Sequence, residues 1–468
     1  TLLTLMGRSP VSDSDLANNG GSGAMDIYLV HSPRDADGDR EWQGVALPSA
    51  TGATCGSQRY LLVDSTYPLG SETSKGMLQT VTHELFHAFQ FAFPLVTGCW
   101  TPEYTWFMEA SATWAEEYVY PNAQSEHVWL SGFLTLPENR VDAVTESREY
   151  GAYLLPWHMA RTNSPDSVAD AWGAFANRLS LPGVDSVLSG GFEQQWPLFT
   201  LNNWNREPVD DYRQVDNVAE GAFPFGGKTS VGIEEVEMNL NIPYLAAQYR
   251  HFSFKNEARY VSFENTEQIP HSAVWGIVKI DGEWKEPEDW SDVSEKSWCR
   301  EDDGEELEEL VIVFSNSDWQ GKESLTPGDP PKVKATAACV EWWGTVSYDF
   351  TSTAFGGVAT STSGTVAFVP QDDPLTPEIE YVAVGGSLLH TYDDMLCHNS
   401  GTVGIADGFL RLHPDTGHYF GGVISQDVAN PSCRYGGTTG NAQIGSHEVG
   451  RFVISADGRT LDGSFTSV

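Results

Sequence analysis

The stretch His83-Glu84-Leu85-Phe86-His87 decides how the rest of the chain is read. Two histidines at this spacing lie one turn apart on the same face of a helix. Their neutral imidazoles can share one divalent ion, and two histidines completed by a carboxylate suit zinc best. Glu84 follows the first histidine and projects beside that ion, where a carboxylate can take a proton from water. The flanking sequence predicts a helix. Met77 to Phe91 contains no proline, Ser71, Thr73 and Ser74 are N-cap candidates, and Leu78, Val81, Leu85 and Phe89 recur at helical spacing on the face away from the histidines.

A catalytic zinc takes three protein ligands and keeps a fourth position open. Trp106 to Glu117 is proline-free, carries good helix formers and follows Pro102. Pro94, Gly98 and Pro102 break the chain after the first helix, so this segment is expected to turn back beside it. Glu109, Ala112, Thr113 and Glu116 then fall along one stripe, and the small residues next to Glu109 allow close approach. Glu109 is the candidate third ligand.

A histidine pair of this kind followed by a helix carrying a glutamate ligand resembles the gluzincin superfamily of zinc metallopeptidases, to which thermolysin belongs. More narrowly, HELFHAFQF (83–91) and WFMEASATWAEEYVYP (106–121) resemble a group of secreted bacterial metalloproteases that includes myxobacterial ones. The gluzincin motifs cover residues 76–120, and the looser likeness extends over most of the chain. The resemblance implies that His83, His87 and Glu109 hold Zn²⁺, that Glu84 is the general base, and that the reaction is hydrolysis of a peptide bond. One position departs from the pattern. Thermolysin-type enzymes carry an aspartate four residues after the third ligand, where it orients a ligand histidine, and this chain has Thr113 there. Glu116, one turn further, is the candidate for that orienting role, with third ligand as a minor alternative. Glu117 is expected to face elsewhere. Several metallopeptidases also carry a downstream tyrosine or histidine that donates to the oxyanion. Tyr150, Tyr153 and His158 are the candidates, with Tyr150 first because a tyrosine followed by glycine at a helix start resembles that element.

Composition narrows the function classes. The net charge is −39, from 26 basic and 65 acidic residues, which disfavours nucleic acid and anionic membranes as partners. A protein or peptide substrate is expected, with basic peptides attracted. No apolar run approaches the roughly 20 residues of a membrane span. The six cysteines, Cys55, Cys99, Cys299, Cys339, Cys397 and Cys433, form no CxxC pair. Sequential pairing within domains is the simplest of the fifteen connectivities, and the even count points to an oxidising compartment. A secreted protein is the expectation, and the start at Thr1 fits a signal peptide already removed.

Taken in order, residues 1–209 are expected to form an α+β zincin-like metallopeptidase domain. Met25–Val30 and Tyr60–Val63 read as strands, and the second is the candidate cleft edge to which a substrate backbone could add. Between them, Asp35, Asp37 and Asp39 around Gly38 resemble the start of a Ca²⁺ loop without its twelfth-position glutamate. Residues 121–205 read as helical. Residues 210–342 and 343–468 read as two β-rich domains of sandwich or barrel type, with strands at Tyr260–Phe263, Ala273–Val278, Leu310–Phe314 and Thr365–Val369. The acidic run Glu301–Glu309 reads as a solvated loop, and the five histidines after residue 342 have no ligand spacing.

The leading expectation is therefore a secreted zinc metalloendopeptidase in a multidomain chain. The alternatives are an aminopeptidase, a peptidase of glycosylated proteins, and a zinc-containing binding or adhesion protein that no longer cuts. Glu84 argues against the last, since a purely structural zinc has no use for a base beside it. Cleavage specificity, the job of the β domains and the oligomeric state are left open by the sequence.

Overall fold

Short apolar runs between polar stretches give the N-terminal region a small sheet. After a one-turn helix α1 (Leu2–Met6) come β1 (Ile27–Val30), β2 (Gly44–Pro48) and β3 (Arg59–Asp64), in the order β1-β3-β2. β3 is parallel to β1 and antiparallel to β2, with Ala46 opposite Leu61. In this computed structural model the described residues are 1–15, 20–31, 43–48, 57–66, 73–97, 101–145, 147–218, 227–300 and 306–336, with backbone alone at 73–75 and in the strands after 341. Asp35, Asp37 and Asp39, and with them the expected calcium loop, lie outside the described residues, as do Cys55, Cys99, Cys339 and Cys433. Cys299 is held in a disulfide.

The sheet carries a pair of long helices. α2 (Thr73–Gln90) packs on β2 and β3 and against α3 (Pro102–Val119). Pro102 opens α3, where its fixed φ and missing N–H cost nothing. Of the apolar face expected for α2, Phe89 is buried and Val81 and Leu85 pack on the core, while Leu78 is 40% exposed. His83, Glu84, Phe86 and His87 are buried as well. The reason is position: the histidine face lies in the layer shared with α3, so its polar residues are removed from water too. α3 is buried on nearly every side, and Trp106, Phe107 and Trp114 on it pack with Phe86, Trp172 and Phe175.

The helical region continues through a 3₁₀ turn (Glu126–Trp129) and α4 (Leu130–Leu134), α5 (Arg148–Gly151), α6 (Leu154–Thr162), α7 (Asp166–Ala174), α8 (Ser180–Asp185), α9 (Gly191–Asn202) and α10 (Asp211–Asp216). α5 is pressed onto the 3₁₀ turn at Gly151, where a Cβ would come within 2.5 Å of the Trp129 carbonyl oxygen. That close approach fixes Tyr150 against Trp129. One apolar core runs from Leu2 to Leu245 around α2 and α3.

From Lys228 the chain is β-structured. One sheet contains β4 (Lys228–Val231), β6 (Ala246–Phe254), β8 (Ser272–Ile280), β9 (Glu283–Trp284), β10 (Glu288–Asp289) and β12 (Leu307–Asn316). The other contains β5 (Glu235–Glu237), β7 (Tyr260–Glu264), β11 (Glu295–Cys299) and β13 (Lys332–Thr336). Phe252, Val274 and Ile312 of the first sheet share a core with Val261, Phe263 and Val333 of the second. Leu201 and Trp204 pack with Tyr249, Ile277 and Val311, so the helical region meets the first sheet through buried apolar side chains. Glu308 and Glu309 belong to β12 rather than to a solvated loop, and Glu309 accepts from Lys228 at 2.6 Å and pairs with His251 at 2.7 Å. A seven-stranded antiparallel sheet follows, from Trp342–Ser352 to Leu461–Thr466. The described chain is thus mixed α and β, with several sheets. Among the described residues no helix is long and apolar enough to cross a membrane.

Candidate metal centre

α2 and α3 bring His83, His87 and Glu109 together. His83 Nε2 lies 3.1 Å and His87 Nε2 3.3 Å from the same Glu109 Oε2, and the candidate ligand atoms all fall within 4.8 Å of one another. Helical spacing stacks the two rings edge to face, with centroids 4.8 Å apart. The two other nitrogens are engaged by the protein. His83 Nδ1 meets Glu116 Oε1 at 2.9 Å, and His87 Nδ1 meets Gln90 Oε1 at 2.7 Å. Glu116 Oε2 in turn accepts from Ser125 Oγ at 3.2 Å. Glu116 is therefore buried and set against His83, away from the Glu109 oxygen.

The donor set can be tested for a metal from this pattern. Gln90 Nε2 donates to Met108 O and Ser111 Oγ, both at 3.0 Å, so its carbonyl oxygen is the atom facing His87. His87 then carries its hydrogen on Nδ1. Its Nε2 is a lone pair aimed at a carboxylate oxygen. At His83 the Glu116 carboxylate, which only accepts, imposes the same tautomer. Two lone pairs and a carboxylate converging on one point lack a positive centre, which a divalent cation would supply. Without one, the rings must hold protons there. Burial works against a charged His83, but hydrogen bonds to Glu109 and Glu116 outweigh it and lift its pKa well above the usual value. His87 is raised as well, because the Glu109 charge overcomes burial. Burial alone would raise Glu109, yet His87 and the bonds to both rings hold it far below the carboxylate range.

Glu84 sits on the adjacent side. It is buried, and burial raises its pKa against the lowering effect of the two histidines. The Ala46 backbone N–H donates to it, and Gly44 makes room for it: a Cβ there would lie 2.6 Å from Thr80 Cγ2 and 2.9 Å from Glu84 Cγ. Strand β2, which the sequence reading missed, thus faces the site. Tyr60–Val63 does not form a cleft edge, because β3 is paired on both sides and has no free backbone edge to offer.

Of the three downstream candidates, the structure brings Tyr150 to the cluster. Its ring stacks on His83 with centroids 5.9 Å apart and on Trp129 at 4.8 Å, and its hydroxyl donates to Glu109. Burial, then the Glu109 charge, raises the pKa of that hydroxyl well above the usual tyrosine value. His158 is elsewhere, bonded to Gln195 at 3.1 Å and set edge-on to Phe199. Tyr153 is fully buried and lies beside Glu126, Asp216 and Glu117 instead. Gln90 and Ser125 were not singled out from the sequence. Gln90 carried a readable signal, since it follows His87 by three on a helix. Ser125 carried none. No family model matches the chain, and no curated protein is significantly similar to it.

Proposed function

We propose that the chain is a secreted zinc-dependent endopeptidase of the gluzincin type, with a zincin-like N-terminal domain followed by two β-rich domains. The observation that carries the reading is the orientation of the four histidine nitrogens. Both Nδ1 atoms are tied to acceptors of the protein, while both Nε2 atoms face one Glu109 oxygen. Among the described residues no fourth histidine, cysteine or carboxylate completes that group, which favours an open position over a closed structural site.

His83, His87 and Glu109 would hold the zinc, which when bound acidifies water and polarises a carbonyl. Glu84 takes the proton of the attacking water and delivers it to the leaving amine. Its pKa, raised by burial, suits the accepting half of that transfer, since a stronger base takes the proton more readily. Ala46 holds Glu84 in place through its N–H. Tyr150, whose hydroxyl pKa is raised by burial and by Glu109, is a donor for the developing oxyanion. β2 is the sheet edge next to Glu84, and an extended substrate can add to it as a further strand. The acidic surface and the cysteines support an extracellular setting.

The test is digestion of an unfolded protein by the wild type and by Glu84→Gln, with zinc counted on both. Zinc on both and cutting by the wild type alone is expected. Equal cutting by the two refutes the role of Glu84, and absence of zinc from both refutes the metal centre.

A further inference from the structure

We infer that the chain holds a second divalent cation, in a buried pocket made by Glu117, Glu126, His127 and Asp216. This pocket is separate from the His83, His87 and Glu109 group. Glu116 and Glu117 are neighbours on α3 and point different ways, Glu116 toward His83 and Glu117 toward the second cluster.

His127 Nε2 lies 2.9 Å from Asp216 Oδ2 and 3.4 Å from Glu126 Oε1, and one atom from each of these three residues falls within 4.8 Å of the others. The carboxylates come from distant parts of the chain. Glu117 is on α3, Glu126 and His127 are in the 3₁₀ turn, and Asp216 ends α10. Glu126 is completely buried and Asp216 is 5% exposed.

Three acceptor-only groups in one buried pocket call for compensation, and little is present. Glu126 Oε2 accepts from Gln79 Nε2 at 3.1 Å, but among the described residues its Oε1, the oxygen facing His127, has no hydrogen-bond partner. Glu117 Oε2 and the hydroxyl of the fully buried Tyr153 have none either. Among the described residues the charges acting on Glu117 are those of Asp216 and Glu126, and the one cation acting on Glu126 is His127. Burial and these like charges push Glu117 up to about 9 and Glu126 up to about 7. Buried carboxylates persist where they are paired or coordinate a metal. A cation would satisfy the orphaned oxygens and offset the like charges together. Carboxylate oxygens with one imidazole suit a borderline ion such as zinc or manganese better than calcium. Bound there, the ion would tie α3, the 3₁₀ turn and α10 together behind the orienting Glu116.

The experiment counts metal on the full chain, stripped with chelator and reloaded separately with Zn²⁺, Mn²⁺ and Ca²⁺. The wild type is expected to take up about two ions of zinc, and His83→Asn/His87→Asn about one. Glu126→Gln/Asp216→Asn is expected to lose the second ion and keep the first. Should that variant fail to fold by circular dichroism, His127→Gln, at a partly exposed position, decides, with an expected loss in affinity for the second ion of about tenfold or more. A wild type that binds one ion, together with a His83→Asn/His87→Asn variant that binds none, overturns the inference. So does a folded Glu126→Gln/Asp216→Asn or His127→Gln chain that binds as much metal as the wild type. A single ion that survives in His83→Asn/His87→Asn supports this pocket while refuting the first centre, so the two readings fail separately.

Discussion

Removing Glu116 measures how much of the proposed metal site would be made outside its ligands. Its Oε1 accepts from His83 Nδ1 at 2.9 Å, in a position that is 7% exposed. Glu116→Ala leaves that N–H buried without a partner, which costs about 1–3 kcal/mol. Loss of a group that orients a ligand histidine typically weakens metal affinity by about 10–100-fold. At 1.36 kcal/mol per decade this is roughly 1.4–2.7 kcal/mol of binding, separate from the cost to the folded chain. Glu116→Gln keeps an oxygen that can face Nδ1 and should lose less than about tenfold. The assay is zinc competition against a chromogenic chelator, with circular dichroism to verify folding and kcat/KM on an unfolded protein as a second readout. A folded Glu116→Ala chain with zinc affinity within about twofold of the wild type would refute the orienting role. A Gln variant weaker than the Ala variant would refute the hydrogen-bond account.

Four further outcomes are expected. Glu84→Gln should retain zinc and lose about 10²–10⁴-fold in kcat, measured by single-turnover digestion; a smaller loss removes it as the base. Tyr150→Phe keeps the ring stacked between His83 and Trp129 but removes the donor, so kcat should fall by about 10²–10³ while zinc content stays constant. Gly44→Ala drives a methyl against Thr80 and Glu84, and should depress kcat/KM at unchanged zinc content, whereas full activity would show that Glu84 is free to move. Burial lowers the pKa of His158 below its usual 6.5, so the unfolded chain binds its proton first and stability is lost as pH falls from about 6.5. His158→Gln should flatten that part of the melting-temperature profile, and an unchanged profile rejects the assignment.

The two long helices were legible because their signals are local. The proline-free run to Phe91, Pro102 at the start of the second helix, and the spacing of the histidines need no tertiary information. Glu109 was legible because the second helix had to turn back. The strands at Tyr260, Ser272 and Leu307 followed from β-branched and aromatic runs between turns. What failed depends on which surface meets which. Leu78 reads as a core position by period, yet the polar face of α2 is the one covered by α3. The run Gly44–Pro48 is too short to stand out, and only its pairing with β3 brings Ala46 to Glu84. Glu117 had no readable destination, because Glu126 and Asp216 reach it from a one-turn 3₁₀ helix and a short helix far along the chain, whose meeting no periodicity encodes.

The all-round burial of α3 also limits how such a site can diversify. Its Trp106, Phe107, Ala110, Ala112 and Trp114 are each at most 1% exposed, so nearly every substitution there disturbs a packed neighbour. Glu109 is delivered by a rod with almost no freely mutable face. Substitutions that leave Glu109 in place must then fall on other elements, and Leu78 of α2, 40% exposed, is one such position. Glu109 is thus held in place by core packing from behind rather than by anything at the surface.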